Sequence, residues 1–332
     1  MTTHHHTSPS AIETIRGELA RTSLSATTIN FVVWIDDPQY RSWVLERAGR
    51  LAEKHPSRTV ILDCCPDTEG AILVHGDRDD ASHVTAQSDR VIIGASGMTP
   101  DELRETTHAL LIPDLPTVLW WTPDAITGEE AFEALLDIAD ALVVDSSGST
   151  TSEATVTELA TFFARRPTLA LRDLAWMRLR PWQDMIAQIF DDAALREELF
   201  AIRDLRIISG STAEALYLGG WLASRLGWSP CGRDEFCDRN GIHIPFTRER
   251  DGGIRRVRSI EISTPSAVYT ASVNPNDENV VTLRSSRLTE GSERHVPLQA
   301  IDNASLLERA ILEPATDEVF ETALRMVGTL LA

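Results

Sequence analysis

The residues best suited to chemistry lie in one segment, residues 173–182, which holds an acid, two arginines and two tryptophans. Arginine forms paired hydrogen bonds with carboxylates and phosphates, and tryptophan and arginine are common at binding hot spots. Asp173, Trp176, Arg178, Arg180 and Trp182 are therefore candidates for binding a partner or an anionic ligand. An alternative with equal weight places the tryptophans in the core and the arginines in solvent.

Two more candidates stand at the ends of apolar runs. Asp145 follows the run 141–144, so it would lie at the carboxyl edge of a parallel sheet, where ligands of α/β proteins bind. Capping of the following helix is the simpler interpretation of Asp145 and of Ser146 and Ser147, which follow it. Trp121 ends the run 117–121, and because neighbouring strand residues face opposite sides, at most one of Trp120 and Trp121 can line a cleft.

Cys231 and Cys237 are the candidate redox residues. Five residues separate them, and another five separate Cys237 from His243. This spacing is compatible with a disulfide, a redox switch or two free thiols. Zinc ligands are usually closer together in sequence, so we predict no metal site here.

No catalytic constellation emerges from the remaining residues. The first strand-to-helix turn reads Asp36-Asp37-Pro38, with carboxylates where a dinucleotide site needs glycines and backbone donors for a pyrophosphate. No nucleophile-elbow pattern surrounds Ser146. We therefore predict no catalytic residue and no cofactor.

Charge and composition exclude several classes of protein. The formal net charge of −19 repels a phosphate backbone, so nucleic acid is not an expected partner. No apolar run approaches the roughly 18 residues that a membrane helix needs, so a membrane is not expected either. The N-terminus lacks the pattern of a signal peptide, and four cysteines in such a chain indicate a cytoplasmic location.

Alternating strand-like and helix-like segments predict an α/β domain over residues 27–228, with a largely parallel sheet flanked by helices. Residues 1–26 are predicted to form a tail and a first helix. Short strand-like runs separated by turn residues predict a smaller α+β domain with antiparallel strands over 229–332. Gly219 and Gly220 lie within a predicted helix, which indicates that this helix packs closely against another element.

Several of these segments resemble the OpcA family, the glucose-6-phosphate dehydrogenase assembly proteins of cyanobacteria and actinobacteria. The resemblance covers residues 27–228 and rests on five motifs, at 55–58 (His-Pro-Ser-Arg), 111–121 (Leu-Ile-Pro-Asp-Leu-Pro leading into Trp-Trp), 144–146, 173–182 and 216–228. It implies a non-catalytic activator that binds glucose-6-phosphate dehydrogenase in the oxidative pentose phosphate pathway. Because activation is redox-linked in cyanobacterial members, it also favours Cys231 and Cys237 as a redox pair.

A second hypothesis is a sugar-phosphate-binding enzyme or sensor of the same pathway. It would use Arg178, Arg180 and the strand-end acid Asp145. A weak sugar-phosphate ligand is therefore kept as an alternative partner.

Overall fold

The computed structural model describes residues 2–4, 9–22, 27–65, 71–75, 89–123, 126, 129–148, 152–191, 193–252, 256–286, 293–299, 302–312 and 316–332. No helix in these ranges has both the length and the apolar character that crossing a bilayer requires.

Helices and strands alternate regularly in the first half of the described chain. In order, its elements are β1 (Thr2–His4), α1 (Pro9–Thr22), β2 (Ile29–Ile35), α2 (Pro38–Lys54), β3 (Ser57–Asp63), β4 (Ala71–His75), β5 (Asp89–Gly94), α3 (Pro100–Leu110), β6 (Thr117–Trp121), α4 (Glu130–Leu136), β7 (Ala141–Val144), α5 (Ser152–Arg165) and β8 (Ala170–Asp173).

Strands dominate the second half, between two groups of helices. The elements are α6 (Leu174–Met177), α7 (Arg180–Ile189), α8 (Ala193–Arg196), a 3-10 helix (Glu197–Ala201), β9 (Asp204–Ser209), α9 (Thr212–Leu226), β10 (Ser229–Gly232), β11 (Glu235–Cys237), β12 (His243–Arg250), β13 (Val257–Ser263), β14 (Val268–Asn274), β15 (Asp277–Ser285), β16 (Arg294–Pro297), α10 (Asn303–Leu312) and α11 (Glu318–Leu331).

The first sheet has the strand order β1-β4-β5-β3-β2-β6-β7-β8. The pairings β5–β3, β3–β2, β2–β6 and β6–β7 are parallel, whereas β4 and β1 add antiparallel strands at one edge. From β5 to β8, the order by position in the chain is 3-2-1-4-5-6, that of doubly wound dinucleotide-binding folds. The predicted largely parallel sheet is confirmed.

Strand β6 lies inside this sheet, between β2 and β7, and both of its tryptophans are buried. Trp120 packs against Phe31 and Trp43, while Trp121 packs against Trp34 and Phe132. The two rings thus have separate sets of neighbours, as expected for adjacent residues of a strand.

Asn30 of β2 sets the course of the chain before β6. Its side-chain amide donates to the carbonyl oxygens of Ile112 (2.9 Å) and Leu115 (3.2 Å), and its Oδ1 accepts from the Ile112 N–H (2.9 Å). Asp114 adopts a positive φ of 65° within this turn. Asn30 is buried, so these bonds satisfy a polar group that would otherwise be costly in the core.

The second sheet has the order β10-β11-β12-β9-β13-β14-β15-β16. Only β12–β9 is a parallel pairing among the neighbours whose register is described; the others are antiparallel. The predicted region of antiparallel strands is therefore confirmed, and β9 lies between β12 and β13.

The chain forms two compact units that differ from the division predicted at residues 26 and 228. The first contains residues 1–144, 168–172 and 307–314, and the second contains 145–167, 173–306 and 315–332. One reason for the difference is β9, which precedes residue 229 in the chain but pairs on both sides with strands that follow it.

Helix α9 packs closely within the second unit, as its two glycines indicate. A Cβ atom on Gly219 would lie 2.4 Å from the ring of Phe246, and one on Gly220 would lie 2.5 Å from Val327 Cγ2 of α11. Since carbon atoms do not approach so closely, only glycine fits at either position. The predicted close packing is confirmed.

Candidate functional site

Arg178, one of the predicted candidates, lies at the centre of a group of polar side chains in the second unit. We call this group the Arg178 cluster; it consists of Arg178, Asp145, Ser147, Glu214 and Asn303. Asp145 and Ser147 follow β7, Arg178 follows α6, Glu214 lies in the first turn of α9, and Asn303 begins α10. Residues far apart in sequence thus meet around one guanidinium group.

The Arg178 guanidinium group directs hydrogen bonds at five acceptor atoms. Nε donates to Glu214 Oε1 (2.9 Å), and Nη1 donates to Asp145 Oδ2 (3.1 Å) and Asn303 Oδ1 (3.2 Å). Nη2 donates to Asp145 Oδ1 (2.5 Å) and to Ser147 Oγ. A guanidinium group has five N–H donors, so acceptors within the protein match all of them.

Burial and charge act in opposite directions on Arg178, whose side chain is 9% exposed. Burial acts to lower the pKa of Arg178, but the nearby carboxylates of Asp145 and Glu214 outweigh it, and the pKa rises above its ordinary value. Arg178 is therefore a permanent buried cation that holds two acids in place.

Glu214 lies in the first turn of α9, and its carboxylate bonds to groups outside that helix. Ser211 Oγ accepts a hydrogen bond from the Glu214 N–H (3.4 Å), which is one half of a capping box. The Glu214 carboxylate instead accepts from Arg178 and from the Val257 N–H (3.1 Å). Burial raises the pKa of Glu214 to about 7, against the opposing effect of Arg178.

Asp173 lies in a second buried network nearby in the same unit. Its Oδ2 accepts from the Tyr217 hydroxyl (2.7 Å), and its Oδ1 accepts from the N–H groups of Ser146 (3.2 Å) and Ala175 (2.9 Å). Burial, followed by the charge of Asp145, raises the pKa of Asp173 to about 6. These bonds join the chain after β7, the start of α6 and the middle of α9.

The two tryptophans of segment 173–182 are buried. Trp176 is 6% exposed and donates from Nε1 to Asp317 Oδ2 (2.8 Å), and Trp182 is 4% exposed. Arg180 is 67% exposed and pairs with Asp184 (3.3 Å) one helical turn later. The segment thus combines core tryptophans with one buried and one solvent-facing arginine.

A small cavity of about 50 Å³ adjoins the Arg178 cluster. Its lining includes Arg178, Trp182, Glu214, Arg256 and Arg258. Arg258 is itself paired with Asp251 (3.0 Å). Because Arg178 and Arg258 already bind acids of the protein, an anionic ligand at this cavity would have to compete with those acids.

Trp121 lies in the first unit, whereas the Arg178 cluster lies in the second. It is 2% exposed and surrounded by aromatic rings, so it offers almost no surface for a partner. Its place in the structure is that of a core residue.

The turn from β2 to α2, the position of the phosphate loop in dinucleotide-binding folds, carries its own acid cap. Asp37 Oδ1 accepts from the Gln39 N–H (2.8 Å), and Pro38 begins the helix. The buried Asp63, at the end of the neighbouring strand β3, pairs with Arg41 (2.6 Å). Acids therefore occupy the edge where a pyrophosphate would need free backbone donors.

Cys231 and Cys237 are joined by a disulfide across the β10–β11 hairpin, with their Cα atoms 5.7 Å apart. His243, the first residue of β12, pairs in register with Cys237. Its Nδ1 lies 4.0 Å from Cys231 Sγ and 3.0 Å from Glu235 Oε2.

Sequence reasoning missed Glu214, Tyr217 and Asn303, and it set His243 aside because its spacing from the cysteines is wider than zinc sites usually have. In the local sequence, Glu214 stands three residues after Ser211, as the acid of a capping box does, and Tyr217 reads as an apolar helix residue. The sequence did carry a signal that Asp173 has a buried partner, because an acid directly after an apolar run needs one. Only the structure identifies that partner as Tyr217.

A structural relative shows the same fold. The chain superposes on KijD10, a 3-ketoreductase from Actinomadura kijaniata solved with NADP and TDP-benzene, with a TM-score of 0.51 and 13% sequence identity. The match covers 92% of this chain and 96% of that one. At this identity the likeness concerns the fold alone.

The relatives found by sequence point to a family, which the structural likeness does not. The chain is 32% identical over 197 residues to the OxPP cycle protein OpcA of a Synechocystis species, covering 55% of this chain and 40% of that protein. It is 28% identical over 229 residues to the protein of the same name from Synechococcus elongatus, covering 66% and 51%. The chain thus matches about half or less of the length of these curated relatives.

Two family models match consecutive parts of the chain. The glucose-6-phosphate dehydrogenase subunit N-terminal domain matches residues 48–161, and the corresponding C-terminal domain matches residues 169–324. Both are models of the OpcA family, and together they account for most of the sequence. The chain therefore belongs to the OpcA family.

Proposed function

We propose that this protein is a non-catalytic assembly factor that binds glucose-6-phosphate dehydrogenase in the oxidative pentose phosphate pathway and favours the active, assembled enzyme. The observation that carries the proposal is the match of both OpcA domain models, over residues 48–161 and 169–324. The proposal places this interaction in the cytoplasm, where the dehydrogenase would be encountered.

The chemistry of the candidate site supports a structural role over a catalytic one. The donors of Arg178 are matched by Asp145, Ser147, Glu214 and Asn303, so the guanidinium group is not free to bind a sugar phosphate. Arg180, the other arginine of the sugar-phosphate hypothesis, lies in solvent. The Arg178 cluster therefore holds the second unit in one conformation.

Activation by such a factor follows from differential binding. If the protein binds the active state of the dehydrogenase more tightly than the inactive state, it shifts the population toward the active state by that difference. A rigid surface suits this role, because ordering of flexible groups on binding would reduce the affinity.

The open face of the second sheet is our proposed docking surface. Strand register places Thr247, Arg206, Glu261, Thr270 and Arg284 in one row across β12, β9, β13, β14 and β15. These side chains alternate with buried neighbours such as Leu205 and Ile260, and all are at least partly exposed. The row presents hydroxyl and charged groups at the regular spacing of adjacent strands.

The direct test mixes purified protein with the dehydrogenase. We expect a co-eluting complex and a lower substrate concentration for half-saturation. The proposal fails if the two proteins elute separately and the kinetics are unchanged. Turnover of glucose 6-phosphate or its lactone by this protein alone would instead support the enzyme hypothesis.

A pair of matched variants tests the surface. Thr270→Arg places a bulky cation in the row between Glu261 and Arg284, whereas Thr322→Arg makes the same change on an exposed position of α11. We expect only Thr270→Arg to weaken the complex. Equal binding by both variants would move the docking surface elsewhere without affecting the wider proposal.

We also propose that the Cys231–Cys237 disulfide makes the interaction redox-sensitive. Cys231 is exposed, so a dithiol reductant can reach it. Counting thiols under oxidising and reducing conditions tests the pair: we expect two more free thiols after reduction. Four free thiols under both conditions would end this part of the proposal.

A further inference from the structure

The geometry points to a zinc site that forms when the Cys231–Cys237 disulfide is reduced, with the two thiolates and His243 as ligands. The three residues are close together because three strands meet there. The inference uses the Cys231–Cys237 disulfide but does not depend on binding to the dehydrogenase. It concerns only the residues around β10, β11 and β12.

Strand pairing brings the ligands to one place. Cys237 ends β11 and pairs with His243 at the start of β12. The β10–β11 register shifts between Pro230 and Gly232, so Cys231 sits at a bulge opposite β11. A β-bulge changes the direction of a side chain relative to regular strand pairing.

The turn between β11 and β12 holds this register. Asp238 Oδ1 accepts from the N–H groups of Asn240 and Ile242, both at 2.8 Å, and Gly241 adopts a positive φ of 76°. Cys237 and His243 are therefore held opposite each other by a structured connection.

The distances fit a metal ion. One ligand atom from each of Cys231, Cys237 and His243 lies within 4.8 Å of the others, and Cys231 Sγ is 4.0 Å from His243 Nδ1. In tetrahedral zinc sites the ligand atoms lie about 3.3–3.8 Å apart, as follows from Zn–S and Zn–N bond lengths of about 2.3 and 2.0 Å. After reduction the two sulfurs must move apart from their bonded distance, and the 4.0 Å between Cys231 Sγ and His243 Nδ1 must shorten slightly.

We assign the fourth ligand position to Glu235, which lies outside the set of three ligand atoms that fall within 4.8 Å of one another. It is two residues from Cys237 on the same strand, so both side chains leave the same face of β11, while Phe236 between them is buried. Its Oε2 lies 3.0 Å from His243 Nδ1. Two thiolates, an imidazole and a carboxylate are all ligands that zinc accepts.

The chemistry balances as two steps. A dithiol reductant transfers two electrons and two protons to the disulfide, which becomes two thiols while the reductant becomes a disulfide. Zinc then displaces one proton from each thiol as the two Zn–S bonds form. In the oxidised state both sulfurs are bonded to each other, so oxidation and zinc binding exclude one another.

The test measures zinc binding by the full-length chain, kept reduced with a phosphine under anaerobic conditions. We expect one zinc ion bound by the reduced protein and none at this site after oxidation. Cobalt in place of zinc should give a thiolate-to-metal charge-transfer band. The tail histidines His4, His5 and His6 are retained in every sample, so any metal they bind is a constant background.

Variants assign the ligands. Cys231→Ser with Cys237→Ser should abolish the site, and Glu235→Gln should weaken binding by at least about 10-fold, because losing a ligand should cost no less than losing a group that supports one. His243→Ala should weaken it further, whereas His295→Ala, at another exposed histidine, should have no effect.

The inference is overturned if oxidised and reduced protein bind the same amount of zinc, or if the cobalt form shows no thiolate band. All the substituted ligands are at least partly exposed, so the variants should fold. Far-ultraviolet circular dichroism checks this. Dehydrogenase binding is not part of the readout, so this inference and the proposed function can fail separately.

Discussion

Arg178 and Arg180 are two residues apart, yet they occupy opposite environments. Arg178 is buried between two carboxylates, whereas Arg180 makes an exposed pair with Asp184. Removing one partner from a buried ion pair leaves the other charge without compensation in a medium of low dielectric constant. An exposed pair is solvated by water whether or not its partner is present.

The first prediction compares these two arginines. Arg178→Met should lower the free energy of unfolding by about 3–5 kcal/mol, because Asp145 and Glu214 lose their buried cation. Arg180→Met should change it by no more than about 0.5 kcal/mol. Urea unfolding followed by tryptophan fluorescence measures both. Similar losses in the two variants would show that Arg178 is not the centre of the network.

Asp173 gives a prediction on pH dependence. Burial raises its pKa to about 6 in the folded protein, whereas an unfolded aspartate has a pKa of about 3.9. The folded state thus keeps its proton to a higher pH. The contribution of Asp173 to stability is therefore full below about pH 4 and is lost as the pH rises through about 6.

Asp173→Asn removes this titration. The stability of wild type relative to the variant should fall between about pH 4 and pH 6 and then level off. Asp184→Asn removes a negative charge at an exposed position and serves as the control. The free energy of unfolding across a pH series provides the measurement. A difference between wild type and Asp173→Asn that is constant across this range would rule out the raised pKa.

At the scale of elements, close packing against two glycines holds α9 in the second unit. Gly219 admits the ring of Phe246, and Gly220 admits Val327 and the Ala323 carbonyl of α11. The helix accepts two glycines because packing outweighs their propensity cost of about 1 kcal/mol each. In the first unit, Asn30 has a comparable role, since its amide shapes the turn that leads into β6.

The third prediction concerns Gly220. Helix propensity alone would make Gly220→Ala stabilising by about 1 kcal/mol, but we expect a loss of about 1–3 kcal/mol because the new Cβ overlaps α11. Gly17→Ala in α1, where a Cβ meets nothing within 4 Å, should be neutral or stabilising. Thermal unfolding distinguishes the two. An increase in Tm for Gly220→Ala would show that α9 and α11 are farther apart.

At the scale of the whole molecule, the two compact units are not consecutive halves of the chain. Residues 168–172 and 307–314 belong to the first unit, although the segments on both sides of each belong to the second. The chain passes between the units repeatedly, so a single cut cannot separate them. Strand β9 is a further example, because it precedes residue 229 in the chain but lies inside the second sheet, between β12 and β13.

The fourth prediction follows from β9. A fragment of residues 229–332 contains β12 and β13 but lacks the strand that lies between them. We expect it not to unfold cooperatively. A fragment of residues 202–332 restores β9 and α9 and should contain more ordered structure by circular dichroism and amide dispersion. Cooperative folding of the shorter fragment would support a domain boundary at residue 229.

Local sequence was enough to predict many elements because their signals are local. The apolar runs 117–121 and 141–144 indicated strands, and β6 and β7 lie at these positions. The glycine pair predicted close packing of α9. Motifs in the same stretches were also enough to identify the family, because they combine unusual residues at fixed spacing.

Strand order, the partners of Arg178 and the surroundings of His243 were decided only by the tertiary structure. Glu214 could be a helix cap or the partner of a buried arginine, and the choice depends on Arg178, which is 36 residues away. Likewise, His243 meets the cysteines because two hairpin registers align. Residue types and periodicity limit what a side chain can do, but its contacts depend on pairing between distant segments, for which the local pattern carries no signal.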